Sequence, residues 1–259
     1  MELNQTFDKV AELYNQYRNC YVKQIFDDIL SYSDINADDS LIEVGIGTGQ
    51  VTKPFLETGA FVTAIELGKN LSDFCRNKFR DYPNFSVITS KFEDCEISNE
   101  STELVYSASA FHWIPEEIGY TKVYSVLKPG GIFARFANHP FPDKGKPKMC
   151  EAIQDVYKAY ASFRGGKYSA PIEYTEESAK NRAFIAKKYG FRDIQYKIYH
   201  NTRTFTADDY IGLLGTYSDN IAMEASVRTR FFGEIHDIIQ SFGGSITIYD
   251  TLDLQLARK

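Results

Sequence analysis

The sequence predicts an α/β fold, a mostly parallel sheet covered by helices on both faces, and three observations carry that prediction. Short apolar runs of strand length alternate with helical patterns over residues 41–137. A glycine-rich turn follows the first run and leads into a helix, as a parallel βα unit requires. The chain has 259 residues, 43% of them hydrophobic, which is enough to bury one large α/β domain.

The elements follow in order. Residues 7–17 place Phe7, Val10, Ala11, Tyr14 and Tyr17 three and four apart, the spacing of an amphipathic helix, and residues 21–30 form a second helix. After the polar stretch 31–40 come a strand at 41–44, the glycine loop, and a helix at 50–57. Strands at 61–65, 85–89 and 104–107 then alternate with helices at 69–79 and 116–127. Lys128-Pro129-Gly130-Gly131 makes a turn before a strand at 132–137.

Beyond Ala137 the rhythm breaks. Residues 139–147 hold Pro140, Pro142, Gly145 and Pro147 and are expected to be a loop. Helices are expected at 148–162, 176–189 and through most of 207–240, with strands at 192–199 and 246–257. Residues 1–137 thus read as the N-terminal helices and a ligand-binding half. Residues 138–259 read as the rest of the sheet carrying a helical cap (138–176 and 203–240), all within one structural domain.

Composition narrows the function. The net charge is −6 and no basic stripe stands out, since the longest basic runs are the interrupted 144–148 and Lys187-Lys188. A small-molecule partner is expected, and no nucleic acid. Cys20, Cys75, Cys95 and Cys150 form no CxxC pair, so they read as reduced structural thiols with no metal site. Neither a signal peptide nor a membrane span is apparent, and the expected setting is cytoplasmic, as a monomer or homodimer.

The loop Glu43-Val44-Gly45-Ile46-Gly47-Thr48-Gly49 carries the chemistry. Strand, glycine turn and helix let backbone N–H groups approach a nucleotide-like ligand without obstruction by side chains. A dinucleotide fingerprint would be G-x-G-x-x-G, but here the third glycine comes one residue early and Gln50 stands at the last position. Glu66 ends the next strand, 21 residues after Gly45. A carboxylate there can accept both hydroxyls of a ribose.

Leu41–Gln50 resembles motif I of the Rossmann-like (class I) S-adenosylmethionine-dependent methyltransferases. Ala64-Ile65-Glu66-Leu67 is similar to their ribose-binding motif, and residues 127–131 to the turn before their fifth strand. The small-molecule group similar to trans-aconitate methyltransferase also has counterparts of Phe7, Tyr14, Arg18 and Ala110-Phe111-His112-Trp113. The resemblance implies a seven-stranded sheet with an antiparallel last strand, and S-adenosylmethionine as cofactor. It implies that Gly45, Gly47 and Gly49, with Glu43 before them, cradle the methionine part. Glu66 would hold the ribose hydroxyls, Leu67 would pack beside the adenine, and Tyr14 and Arg18 would fold over the cofactor. Two departures stand out: Lys91-Phe92 replaces the usual Asp-Ala pair, leaving a backbone contact from Phe92, and Asn19 follows Arg18 where relatives often have Pro.

Ser107-Ala108-Ser109-Ala110-Phe111-His112-Trp113 is expected beside the sulfonium and the acceptor, with Ser107 and Trp113 lining the cofactor site. No Asn/Asp-Pro-Pro-Tyr tetrapeptide occurs there and no Pro-Cys pair occurs anywhere, which disfavours methylation of base nitrogens and of cytosine carbon. His112 is the candidate general base for a hydroxyl or amine acceptor. His139, Arg164, Arg203 and Tyr217 lie in or beside the cap and read as surface residues or as part of a pocket lining. The leading expectation is methyl transfer to O or N of a small molecule by in-line displacement. A non-catalytic S-adenosylmethionine-binding protein and an NAD-dependent oxidoreductase are the alternatives.

Overall fold

Seven strands, β1 (Ser40–Val44), β2 (Phe61–Glu66), β3 (Phe85–Thr89), β4 (Thr102–Ala108), β5 (Leu127–Phe141), β6 (Arg192–Thr206) and β7 (Ser245–Arg258), build one sheet in the computed structural model, which describes residues 11–18, 21–166 and 168–259. Their order is β3-β2-β1-β4-β5-β7-β6. β1 pairs in parallel with β2 and β4, β2 with β3, and β4 with β5. At the far end, the Gly130 N–H donates to the Lys259 carbonyl at 3.2 Å and the Lys259 N–H to the Gly131 carbonyl at 2.9 Å. The end of β7 therefore lies on the start of β5, and the last strands run antiparallel. The mostly parallel seven-stranded sheet expected from the sequence is the sheet the chain forms.

The helices are α1 (Ala11–Tyr17), α2 (Lys23–Ser33), α3 (Lys53–Leu56), α4 (Lys69–Lys78), α5 (Glu116–Val126), α6 (Pro147–Ala159), α7 (Glu176–Phe184), α8 (Ala207–Leu214), α9 (Ser218–Ile221) and α10 (Ala225–Ser241). The first helix was expected from residue 7, and its opening turn lies outside the described residues. Several boundaries differ from expectation. The helix after the glycine loop is a single turn at Lys53–Leu56, because residues 47–52 are spent in turns that bring Thr52 back to β1. β5 begins at Leu127, so that residues 128–131, expected as a turn, belong to the strand, and it runs on through His139–Phe141, where prolines suggested a loop. β6 continues to Thr206 through His200-Asn201-Thr202-Arg203-Thr204, where polar residues hid an edge strand.

The chain falls into two compact units. The sheet unit comprises Tyr21–Asn138, Tyr174–Tyr199 and Leu252–Lys259. Its sheet carries a core on each face. One holds Ile25, Phe26 and Ile29 of α2 with Phe55, Leu104, Tyr106 and Phe136; the other holds Val44, Ile65, Val105, Phe111, Val123 and Phe133. Phe55 stacks on Tyr106 with centroids 4.1 Å apart. Each such side chain removed from water contributes roughly 1.5–3 kcal/mol, before the entropy of ordering it.

The helical unit comprises His139–Glu173, His200–Thr251 and the described part of Met1–Cys20. Val227, Phe231, Ile235 and Ile239 recur every four residues along α10 and so share one face. That face packs with Met149 and Ile153 of α6, Leu213 and Leu214 of α8, and Ile246 and Ile248 of β7. Arg203 pairs with the carboxylate of Asp250, which is 1% exposed, so this arginine is a structural ion pair.

Candidate active site

In the sheet order, β2 flanks β1 on one side and β4 on the other, so the loop after β1 stands at the switch point where open α/β sheets bind ligands. Gly45, Gly47 and Gly49 have φ of 74°, 58° and 70°, left-handed conformations that glycine adopts without strain. A Cβ on Gly45 would come within 2.4 Å of the Ala110 Cβ, and one on Gly49 within 2.4 Å of the Phe79 ring.

Neighbouring side chains then fix which way the loop's polar groups face. On α4 the Cys75 thiol donates to the Gly47 carbonyl at 3.2 Å, and the Lys78 ammonium donates to the carbonyls of Thr48 (2.7 Å) and Gly49 (3.2 Å). Cys75 and Lys78 are three residues apart and so lie on one helix face. The i, i+3 spacing of Cys75 and Lys78 is the trace this pairing leaves in the sequence. Glu66 is 8% exposed and accepts the Gly47 N–H at 3.0 Å and the Gly68 N–H at 2.8 Å, one on each oxygen. Both carboxylate oxygens are thereby held in one orientation. Together these place a fixed carboxylate acceptor beside a loop of side-chain-free glycines whose Gly45 and Gly49 N–H groups are held by the Ile65 and Ile46 carbonyls, an arrangement that fits a ribose-bearing ligand.

Glu43 faces inward. It is 1% exposed, and its Oε2 accepts the hydroxyls of Thr52 (2.8 Å) and Tyr106 (2.9 Å). Burial pushes its carboxyl up to about 8, with the Glu66 charge adding to the rise and the two hydroxyls opposing it. An acid with a raised folded pKa stabilises the native state fully below its unfolded value near 4.5, and that stability is lost as pH rises through about 8. Glu43→Gln cannot ionise, so its unfolding midpoint is expected to stay flatter from pH 5 to pH 9. At the alkaline end it should exceed the parent's by roughly 2–4 °C for each kcal/mol recovered. Circular dichroism melts across that range check this, and parallel curves for the two proteins would refute a buried, proton-holding Glu43.

The end of β4 is as tightly specified. Ser107 is fully buried and its hydroxyl donates to the Val44 carbonyl at 2.8 Å, tying β4 to the start of the glycine loop. Ser109 has φ 51°, a strained conformation for a residue with a side chain. Its Oγ accepts the Tyr21 hydroxyl at 2.8 Å and the Asn138 N–H at 3.3 Å, and its own N–H donates to the Phe136 carbonyl at 2.9 Å. Tyr21 and Asn138 went unnoticed in the sequence because they join Ser109 only through the fold.

A 3-10 turn, Phe111–Trp113, follows. Phe111 is 3% exposed and packs on Tyr120 (5.3 Å) and Phe133 (4.9 Å). Behind it the buried Arg135 donates to the Tyr120 hydroxyl at 2.8 Å and lies over the Phe111 ring. This anchorage leaves His112 and Trp113 on the exposed side of the turn, with ring centroids 5.1 Å apart. Leu67 is half-buried just after Glu66. The Phe92 ring is buried in the core with Ile65 and Val105, and Lys122 fixes its turn by donating to the carbonyls of Glu93 (2.9 Å) and Cys95 (2.5 Å). What Phe92 can offer a ligand is therefore backbone.

The remaining expected residues belong to the helical unit. Tyr14 is on α1, and its side chain lies outside the described residues. Arg18 donates to the Thr216 hydroxyl at 2.7 Å and the Thr216 carbonyl at 3.1 Å, and stacks on the Tyr217 ring at 4.0 Å. Arg164 pairs with Asp219, and His139 is half-buried near the end of β5. Among the described residues no helix is long and apolar enough to cross a membrane, and no group of three or more His, Cys, Asp or Glu side chains could hold a metal ion.

Residues 42–135 match the methyltransferase domain family. An uncharacterised methyltransferase of Schizosaccharomyces pombe is 22% identical over 240 residues, 92% of this chain and 89% of that protein. A ribosomal RNA small subunit methyltransferase A of Hahella chejuensis is 29% identical over 128 residues, covering 41% of this chain and 47% of that one. Among solved structures, Haemonchus contortus phosphoethanolamine N-methyltransferase 2, bound to phosphomonomethylethanolamine and S-adenosylhomocysteine, superposes with a TM-score of 0.57 at 14% identity. That likeness covers 100% of this chain and 60% of the H. contortus protein, and it is one of fold.

Proposed function

We propose that this chain, which belongs to the class I S-adenosylmethionine-dependent methyltransferases, transfers a methyl group to an oxygen or nitrogen of a small molecule. The observation that carries the reading is the oriented Glu66 carboxylate beside the glycine loop, whose carbonyls are drawn away by Cys75 and Lys78. When bound, the cofactor supplies a methyl on a positively charged sulfur, open to in-line displacement by the acceptor. The backbone of Gly45, Gly47 and Gly49 holds the methionine part, and Glu66 accepts the ribose hydroxyls. Leu67 flanks the adenine, and the backbone of Phe92 borders it. Glu43 acts from behind, fixing Thr52 and hence the return of the loop. Ser107 sets the end of β4, Trp113 forms a wall, and for Tyr14 and Arg18 the resemblance is the whole support.

His112 takes the proton of a hydroxyl or amine acceptor, since its turn is anchored by Phe111 while its own ring is exposed. A small acceptor is favoured by the net charge of −6 and by the absence of a basic stripe in the sequence. The H. chejuensis enzyme, which acts on ribosomal RNA by its name, matches only 41% of this chain.

Transfer of label from radioactive S-adenosylmethionine to a panel of phenols, amines, carboxylates and small-subunit RNA tests the reading. Label in a small molecule supports it; label in RNA alone replaces it. On a hydroxyl or amine acceptor, His112→Ala is expected to lower kcat on the order of 10²-fold with S-adenosylhomocysteine affinity unchanged. An unaltered kcat would remove His112 from the chemistry.

A further inference from the structure

The helical unit carries a cavity of about 630 Å³, partly open to solvent, that none of the roles above uses. Well-packed interiors keep few voids larger than a water molecule, whereas small-molecule sites run to about 300–1,000 Å³. This space is therefore of ligand size and far beyond a packing defect. Its walls come from α6, α8, the 3-10 turn Ala161–Arg164, residues 168–172, and the outer parts of β5 and β7.

The chemistry of the lining selects its occupant. Five rings, Phe141, Tyr157, Tyr168, Tyr210 and Tyr217, stand around an aliphatic floor that includes Ile153, Leu213 and Ile248. Flat rings against flat rings favour an aromatic ligand over a flexible chain. The charged residues of the lining are Arg164 and Asp219, and they satisfy each other. Arg164 is held further by its Nε donating to Asn220 Oδ1 at 3.0 Å and by stacking 4.5 Å over the Tyr157 ring. An anion would have to compete with Asp219 for Arg164, and a cation with Arg164 for Asp219, so neither charge meets an unengaged partner in the lining. Burial raises the phenols of Tyr157 and Tyr210, so both remain neutral hydroxyls. Tyr157 and Tyr210 bond each other and Gln154 Oε1 accepts the Tyr168 hydroxyl at 3.1 Å, so what a polar group on the ligand finds here is the remaining acceptor capacity of the hydroxyls and the Gln154 amide N–H groups.

We infer that this cavity is a binding site for an uncharged aromatic molecule bearing a hydroxyl group. The inference rests on the helical unit alone, so it stands or falls separately from methyl transfer.

Calorimetry on the full chain with 1-naphthol, and with 1-naphthoate as its charged counterpart, tests it. Two variants fill the cavity from different walls: Leu213→Trp on α8 and Ile248→Phe on β7. Binding of 1-naphthol at one site, at least about tenfold tighter than 1-naphthoate, is expected. A loss of at least about tenfold in whichever variant keeps the parent's melting transition and S-adenosylhomocysteine affinity completes the support. No 1-naphthol binding up to roughly 1 mM, 1-naphthoate bound equally well, or undiminished affinity in the filled variants would each overturn it.

Discussion

Replacing Glu66 by alanine is expected to weaken S-adenosylhomocysteine binding by about 1–3 kcal/mol, roughly 5- to 150-fold. The reasoning starts from the orientation of the carboxylate. Gly47 and Gly68 each donate a backbone N–H to a different oxygen of Glu66, so the side chain is set before any ligand arrives. Removing it deletes the hydroxyl acceptor and also loosens the middle of the glycine loop. Calorimetry on the parent and the variant measures the sum of the two effects. The 2′-deoxy analogue of the ligand separates them, because losing the hydroxyl should weaken the parent and leave Glu66→Ala nearly unaffected. Equal losses in both proteins would place the ribose elsewhere.

A second large effect is expected from Gly45→Ala. Alanine at φ 74° carries a left-handed penalty of about 1–2 kcal/mol, and its methyl would meet the Ala110 Cβ at 2.4 Å. Ala110 leads into the turn that presents His112 and Trp113, so relief of the clash must move either the glycine loop or that turn. The variant should lose about 3 kcal/mol or more of stability and bind S-adenosylhomocysteine at least about tenfold less tightly. Gly130→Ala supplies the control: its φ is 83°, yet nothing lies within 4 Å of the added Cβ, so only the conformational penalty remains. Denaturant unfolding of the two variants isolates the packing contribution. Equal destabilisation would show that the contact with Ala110 relaxes without consequence.

The parallel half of the fold was legible because its signals are local. The strand at 85–89 is where its apolar run placed it, and β1, β2, β4 and the helices α4 and α5 lie within a few residues of expectation, while β5 is longer at both ends. β6 was cut short because an edge strand with one open side can carry Asn201, Thr202 and Thr204 without a clear alternation of apolar residues. Glu43 illustrates a different limit. Its place beside the glycines suggests a ligand contact, while only the fold shows Tyr106, 63 residues away, closing over it. The triad of Tyr21, Ser109 and Asn138 was hidden for the same reason: hydrogen bonds between distant residues leave no periodicity to read. The partners of Arg18 and Arg203 within their own unit, Thr216 and Tyr217 for one and Asp250 for the other, leave no trace in the sequence either.

The thiol of Cys75 points to a measurement that needs no substitution. It is buried, and its donation to Gly47 lasts only while the glycine loop holds its shape. Burial and the neighbouring carboxylates keep it a thiol, which reacts slowly with alkylating reagents. The rate at which iodoacetamide modifies the peptide containing Cys75, followed by mass spectrometry, therefore counts the moments at which the loop springs open. A ligand that clamps the loop slows that clock in proportion to its occupancy, so the native protein carries its own gauge of cofactor binding.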